Sequence, residues 1–251
     1  MINIKTPEEL KKMQKSGKIL AETMWELVRV LKPGMTGIEL DKLAEELIIK
    51  KGGESGFKKV PGYSYTLCVS TNDEVVHGIP TNEPFKEGDL VGIDCGVYFE
   101  GFFTDMAETV CIPAVKTNEK VNKFLEVGKK ALDEAIKVAV VGNRVGNISK
   151  TIQDIVEGNG YSIVRTLVGH GVGKDLHEEP EIPGFLITSL KDTPVLKTGM
   201  TLAIEVIYNM GKSDVIRDRD GWTIITKDKS LSSTFERTIA ITQNEPLILT
   251  K

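Results

Sequence analysis

A ten-residue stretch occurs twice in this chain, each time after the same arrangement of helices. Phe85-Lys-Glu-Gly-Asp-Leu-Val-Gly-Ile-Asp94 matches Leu196-Lys-Thr-Gly-Met-Thr-Leu-Ala-Ile-Glu205. Lysine, glycine, an apolar run and a closing acid recur at an offset of about 111 residues, a period at which internal repeats are structural units. Before the first copy, Thr6, Pro7 and Glu9 form a helix start with a capping box and proline at the first position. Leu10, Met13, Leu20, Met24, Leu27 and Leu31 then mark one apolar face up to Pro33-Gly34. A second box, Thr36 with Glu39, opens a helix carrying Leu40, Leu43 and Leu47 to Gly52-Gly53. Before the second copy, a helix is expected from Asn118 to Val141, with Val121, Phe124, Leu125, Leu132, Ala135 and Val138 inward. Gly142 and Gly146 punctuate it, and a shorter helix with Ile148, Ile152 and Ile155 inward stops at Gly158-Asn159-Gly160. The expectation is a single α/β domain over 1–251, made of two related halves of about 1–115 and 116–251 around a pseudo-two-fold axis.

The acids that close the repeats sit among apolar residues. Residues 89–112 read as two strands folded back around Phe99-Glu100-Gly101. A turn centred between Phe99 and Glu100 places Asp94 directly opposite Asp105, with Cβ atoms about 4.5–5.5 Å apart. Buried carboxylates so placed need a cation between them, and a divalent metal is the simplest. The alternatives are an exposed aspartate or a different register. Glu205 lies in the run Leu202–Tyr208, and Glu236 in Phe235–Ile241. The repeat makes Glu205 the counterpart of Asp94, and Phe103-Thr104-Asp105 resembles Thr234-Phe235-Glu236, which makes Glu236 the counterpart of Asp105. An ion pair with Arg237 is the plainer account of Glu236 alone, but it leaves four acids in four apolar strands unexplained.

The three histidines, His77, His170 and His177, all fall in segments that read as loops next to glycine or acidic residues. Gly169-His170-Gly171-Val172-Gly173 allows close backbone approach around an imidazole. As a phosphate loop it lacks both the glycine fingerprint and a following helix. Four carboxylates and one imidazole suit two metal ions about 3.5–4 Å apart, which generate hydroxide at neutral pH and clamp a carbonyl oxygen. The chemistry is then hydrolysis of an amide, ester or phosphoester, with the other histidines donating protons and stabilising a tetrahedral intermediate.

Composition bounds the rest. The 251 residues are 40% hydrophobic and 27% charged with net charge −4, an ordinary soluble globular balance and not a nucleic-acid-binding one. No run reads as a signal peptide or a bilayer span. Cys68, Cys95 and Cys111 are too few and scattered for a zinc knuckle or disulfide framework, which makes the cytoplasm the expected compartment.

Taken together, Val76-His77-Gly-Ile-Pro80, Ile93-Asp94-Cys95 with Asp105, Gly169-His170-Gly171, Leu176-His177-Glu178-Glu179-Pro180, Ala203-Ile204-Glu205 and Thr234-Phe235-Glu236-Arg237 resemble type I methionine aminopeptidases, nearly end to end. The resemblance implies the pita-bread (creatinase/aminopeptidase) fold, with two pseudo-symmetric halves around a central antiparallel sheet. It implies five metal ligands: Asp94 on one ion, His170 and Glu205 on the other, Asp105 and Glu236 bridging both. Glu205 would also handle the proton of the attacking water, a metal-bridging hydroxide. His77 would contact the scissile amide and help the leaving nitrogen, and His177 would hydrogen-bond the substrate carbonyl. The reaction is removal of the initiator methionine from nascent chains whose second residue is small, with the ribosome as a place of encounter.

The pocket positions implied are Tyr63, Cys68, Leu176 and Trp222, with Tyr65 competing with Tyr63 for the pocket. Leu176 departs from the phenylalanine common before this histidine. The divalent ions could be Co, Mn, Fe(II) or Zn, and the neighbourhood of Asn72, Glu74 and Ser232 matches a monovalent-cation site of relatives. The absence of a cysteine-rich zinc module or a large insertion points to the short bacterial-type form. A monomer is the default expectation, with no nucleic-acid or membrane partner. Two other readings stay open. An Xaa-Pro peptidase of the same fold usually carries an added N-terminal domain, for which a first helix near residue 6 leaves no room. A non-catalytic binding relative would have lost ligands that this chain keeps.

Overall fold

The computed structural model describes residues 2–115 and 118–251. The expected boundary between halves falls at Lys116 and Thr117, outside the described residues. Before it come α1 (Pro7–Val30), α2 (Gly37–Lys50), β1 (Glu54–Ser55), β2 (Leu67–Thr71), β3 (Glu74–Val76), β4 (Leu90–Phe99) and β5 (Phe102–Cys111). After it come α3 (Glu119–Lys137), α4 (Val145–Gly158), β6 (Ser162–Ile163), β7 (Val168–Gly171), β8 (Glu178–Pro183), β9 (Thr201–Asn209), β10 (Val215–Arg217), β11 (Ile224–Thr226), β12 (Ser232–Ala240) and β13 (Leu247–Ile248). No described helix is long and apolar enough to cross a membrane.

Local chemistry sets the helix ends. Thr6 and Glu9 exchange both bonds of a capping box at the start of α1, as Thr36 and Glu39 do for α2. The third helix stops at Lys137, four residues short of the expected Val141. Three β-branched valines among residues 138–141 propagate a helix poorly, and the Asn143 side chain donates to the Val138 carbonyl at 2.8 Å. Beyond it the backbone turns toward the second repeat.

There the two halves make matching bonds. Gly34 N–H donates to Phe85 O and Phe85 N–H to Met35 O, both at 2.8 Å. In the second half Gly142 N–H donates to Leu196 O at 3.1 Å and Leu196 N–H to Asn143 O at 2.7 Å. Each repeat thus begins by closing the loop between its own pair of helices.

Strand alternation separates core from site. On β4, Val91, Ile93, Cys95 and Val97 join the core built on α1 and α2. On β9, Leu202, Ile204, Val206 and Tyr208 pack with α3 and α4. A Cβ at Gly128 of α3 would stand 2.5 Å from the Tyr208 hydroxyl, so that helix reaches its sheet only because the position is glycine. The intervening positions, Asp94 on β4 and Glu205 on β9, face the other way. The antiparallel sheet containing β1, β4, β2 and β5 and the one containing β13, β12, β9, β7 and β8 meet at β5 and β12.

The β4–β5 hairpin differs from expectation. Phe99 pairs with Phe102 across the two-residue turn Glu100-Gly101, both at positive φ (46° and 92°). Asp94 therefore faces Ala107, and Asp105 faces Gly96. The two aspartates share a face as diagonal neighbours, not as a directly opposed pair. Direct opposition occurs in the second half, where Glu205 pairs with Glu236.

Candidate active site

The four acids and three histidines line one cavity of about 310 Å³. Asp105, Glu236 and His170 are buried, at 4%, 3% and 6% exposure, while Asp94 and Glu205 are half-buried along the cavity wall. Asp105, His170 and Glu236 each offer a ligand atom within 4.8 Å of the others. His170 does not lie in a loop: it sits on β7, opposite Ala203 of β9. Its Nδ1 lies 2.8 Å from the Gly171 carbonyl, which leaves Nε2 aimed at Glu205 Oε1, 3.3 Å away. His77 follows β3 at a positive φ of 58°, a backbone strain often kept at working sites. His177 immediately precedes β8, its ring in edge-to-face contact with that of His170 at 4.4 Å.

The electrostatics call for a cation. Burial, then the charge of Glu205, pushes Asp94 up to about 8. Burial, then Asp94 and Glu205, holds Asp105 well above the usual carboxylate range, and burial with Asp105 and Glu205 does the same to Glu236. Asp94 Oδ1 and Glu236 Oε1 are sealed from solvent without a hydrogen-bond partner. Arg237 does not neutralise Glu236. Its guanidinium pairs with Glu108 at 2.7 Å and meets only the Glu236 backbone carbonyl. Orphaned buried oxygens, an oxygen-rich donor set and one imidazole fit a metal site. Burial pushes His170 down, but the hydrogen bond and charge of Glu205 outweigh it and the net direction is up. Burial lowers His77, and burial with the nearby charge of His170 lowers His177 to about 4.

The apolar side of the cavity contains all four expected pocket residues, Tyr63, Cys68, Leu176 and Trp222. Tyr63, not Tyr65, is on the wall. Its hydroxyl donates to Leu67 O at 2.7 Å and its ring meets that of Trp222 at 5.1 Å. Cys68 pairs directly with Asp94 across β2 and β4, which puts apolar wall and acids side by side. Phe57, Val60, Ile207 and Thr234 also line the cavity and had not been anticipated. The last two were within reach of strand alternation, being two residues from Glu205 and Glu236. Phe57 and Val60 precede β2, at the start and the C-cap of a single 3₁₀ turn (Phe57–Lys59) too short to show a period in sequence. Asn72 and Ser232 come together, Ser232 N–H donating to Asn72 O at 2.8 Å, while Asn72 and Glu74 border a separate cavity.

A fold that places this acid and imidazole cluster at the seam of its two larger sheets is that of a metallopeptidase, and the chain belongs to metallopeptidase family M24, whose family model matches residues 11–243. It has the pita-bread fold. It is similar to the methionine aminopeptidase of Clostridium perfringens, 43% identical over 250 residues that cover 100% of this chain and 99% of the relative. It is likewise 43% identical to methionine aminopeptidase 1 of Bacillus subtilis, over 100% of both chains. Among solved structures, the Thermotoga maritima methionine aminopeptidase superposes with a TM-score of 0.96 at 42% identity over 100% of both chains. The prolidase of Pyrococcus furiosus superposes at 0.78 with 25% identity, over 99% of this chain and 65% of that one.

Proposed function

We propose that this protein is a metal-dependent aminopeptidase that removes methionine from the amino terminus of polypeptides with a small second residue. The observation that carries the reading is a single cavity lined both by apolar and sulfur-bearing side chains and by four acids and three histidines. Asp94 would hold one divalent ion, His170 and Glu205 the other, and Asp105 and Glu236 both. Bound metal supplies a nucleophile from water at neutral pH and polarises the substrate carbonyl. The donor set admits Co, Mn, Fe(II) or Zn. A monovalent cation near Asn72, Glu74 and Ser232 belongs to the same reading.

The chain's own residues do the rest. Tyr63, Cys68, Leu176 and Trp222 clasp the methionine side chain, whose thioether suits aromatic edges and a thiol. Glu205, next to His170 Nε2, takes the proton of the attacking water. His77 and His177 are held neutral by their lowered pKa values. A neutral imidazole keeps one N–H, through which His177 hydrogen-bonds the carbonyl oxygen as charge develops and His77 the scissile amide, while the proton held by Glu205 passes to the departing nitrogen.

In this reading the whole chain is one catalytic unit. It works as a cytoplasmic monomer on nascent polypeptides, the ribosome being one place of encounter, with no nucleic acid or membrane as partner.

Metal analysis combined with cleavage of Met-Ala-Ser, Met-Leu-Ser and an Xaa-Pro peptide tests the proposal. Divalent metal and release of methionine from Met-Ala-Ser ahead of Met-Leu-Ser are expected. Cleavage of Xaa-Pro alone would overturn the substrate, and a metal-free protein without aminopeptidase activity would overturn the enzyme.

A further inference from the structure

The junction between the two halves is made by side chains. Among the described residues β5 pairs with β4, and β12 with β9 and β13, but β5 and β12 share no backbone ladder. Hydroxyls stand in for it. Thr109 Oγ1 accepts from Thr234 N–H at 3.0 Å and donates to Thr234 O at 2.8 Å. In the reverse sense, Thr238 Oγ1 accepts from Asp105 N–H at 2.8 Å and donates to Asp105 O at 2.7 Å. Midway, Arg237 Nη1 donates to both Ala107 O at 3.1 Å and Glu236 O at 2.7 Å, while Nη2 holds Glu108 at 2.7 Å. The rungs step by two residues in opposite directions: Thr109 with Thr234, Ala107 with Glu236, Asp105 with Thr238. Each hydroxyl rung spans a threonine side chain plus a hydrogen bond where a ladder spans a hydrogen bond alone, so the strands stand further apart than the roughly 4.7–4.9 Å of a paired sheet.

We propose that Thr109, Thr238 and Arg237 are positioning residues that set the separation of the Asp105 and Glu236 carboxylates. Thr238 grips both backbone polar groups of Asp105, and Arg237 grips the backbone carbonyl of Glu236. Each acid is thus tied, through its own peptide group, to a side chain that spans the seam. Threonine suits the task because its β-branch restricts χ1. Thr109 and Thr238 are 1% and 0% exposed, so water cannot replace either hydroxyl. The Arg237 guanidinium lies on the opposite face from the cavity, against Glu108 and the ring of Trp25, and its hydrogen bond to Glu236 is to the backbone carbonyl. The inference rests on the reading that Asp105 and Glu236 together hold metal.

The test uses Thr238→Val, Thr238→Ser, Arg237→Lys and Asp105→Asn in the full chain. Co(II) binding is measured by calorimetry and by its visible d–d spectrum, beside metal-free thermal stability. Thr238→Val is expected to weaken Co(II) binding about ten-fold or more, as loss of a group that orients ligands does, and to shift the d–d bands. Thr238→Ser, which keeps the hydroxyl, should restore both. Should Thr238→Val not fold, Arg237→Lys decides, since it keeps the charge and loses the fork that reaches two carbonyls. Its Co(II) spectrum should shift at near-wild-type metal-free stability. Wild-type Co(II) affinity and spectrum in the folded variants would overturn the spacer role. If Asp105→Asn itself binds Co(II) like the wild type, the metal reading fails and the spacer's purpose fails with it. If Asp105→Asn loses binding while Thr238→Val and Arg237→Lys keep it, only the spacer fails.

Discussion

Glu205 and Glu236 stand directly across from each other on β9 and β12. Like charges in that position repel, and Asp94 and Asp105 bring two more acids into the same cavity. The metal-free protein relieves the repulsion by keeping protons, which is why burial and mutual charge push Asp94 up to about 8.

Stability of the metal-free protein should therefore fall as pH rises. An unfolded aspartate titrates near 3.9, so the folded state holds a proton that the unfolded state has lost across the interval up to about 8. That advantage is complete below the unfolded value and disappears as pH passes the folded one. Thermal unfolding of chelated protein at pH 5.5 and 8.5 should give a lower midpoint at 8.5, with divalent metal restoring it. A midpoint that does not change with pH in the chelated protein would contradict the charge cluster.

Asp105→Asn removes a charge while keeping the side chain's shape. It should lower both metal content and turnover by more than about 100-fold, beyond the range seen when outer partners of ligands are lost. Near-wild-type turnover at full metal content would sink the shared-ligand role.

In the proposed reaction His177→Ala removes the hydrogen-bond donor to the substrate carbonyl. A loss of about 10²–10³ in kcat, with metal content unchanged and KM little altered, is expected for such a donor. Steady-state kinetics on a Met-Ala-Ser peptide would expose an error if KM alone moved.

Lys5 pairs with Glu178 in a buried contact, the side chains only 4% and 3% exposed. Glu178 also accepts from Lys174 N–H at 2.8 Å, which anchors the loop that presents His177. Burial opposes ionisation of Glu178, but the hydrogen bond and charge of Lys5 prevail and its pKa is lowered. Lys5→Met, which strands a buried carboxylate, should cost about 3–5 kcal/mol. Glu178 contributes above its unfolded value near 4.3 and less as pH falls through its folded one. The gap in unfolding free energy between wild type and Lys5→Met should thus narrow from pH 7 to pH 3. A gap of constant size would mean that the pair is not ionic.

Legibility in the sequence followed the range of each interaction. The helices, their caps and the repeat are local, and Asp94, Asp105, Glu205 and Glu236 stood out because acids rarely occupy apolar strands. The hairpin register was missed because a two-residue turn normally announces itself with Asn-Gly or Asp-Gly, whereas Glu100-Gly101 places glutamate at positive φ. Phe57 and Val60 enter the pocket from a single 3₁₀ turn, too short to leave a periodic signal. Thr109 and Thr238 look like ordinary strand threonines, since each finds its partner in the other half of the molecule.

The spread of the acid and imidazole cluster along the chain has a kinetic consequence. Asp94 and Asp105 belong to the first half, and His170, Glu205 and Glu236 to the second. The final strand, β13, pairs with β12, and beyond it Leu249 lies so close to α1 that its carbonyl leaves no room for a Cβ at Gly17. Contacts between residues this far apart in sequence form late and slow the search for the native state. A chain emerging during synthesis thus assembles the carboxylates of the cavity only after β12 has followed β4, β5 and β9 and closed the seam.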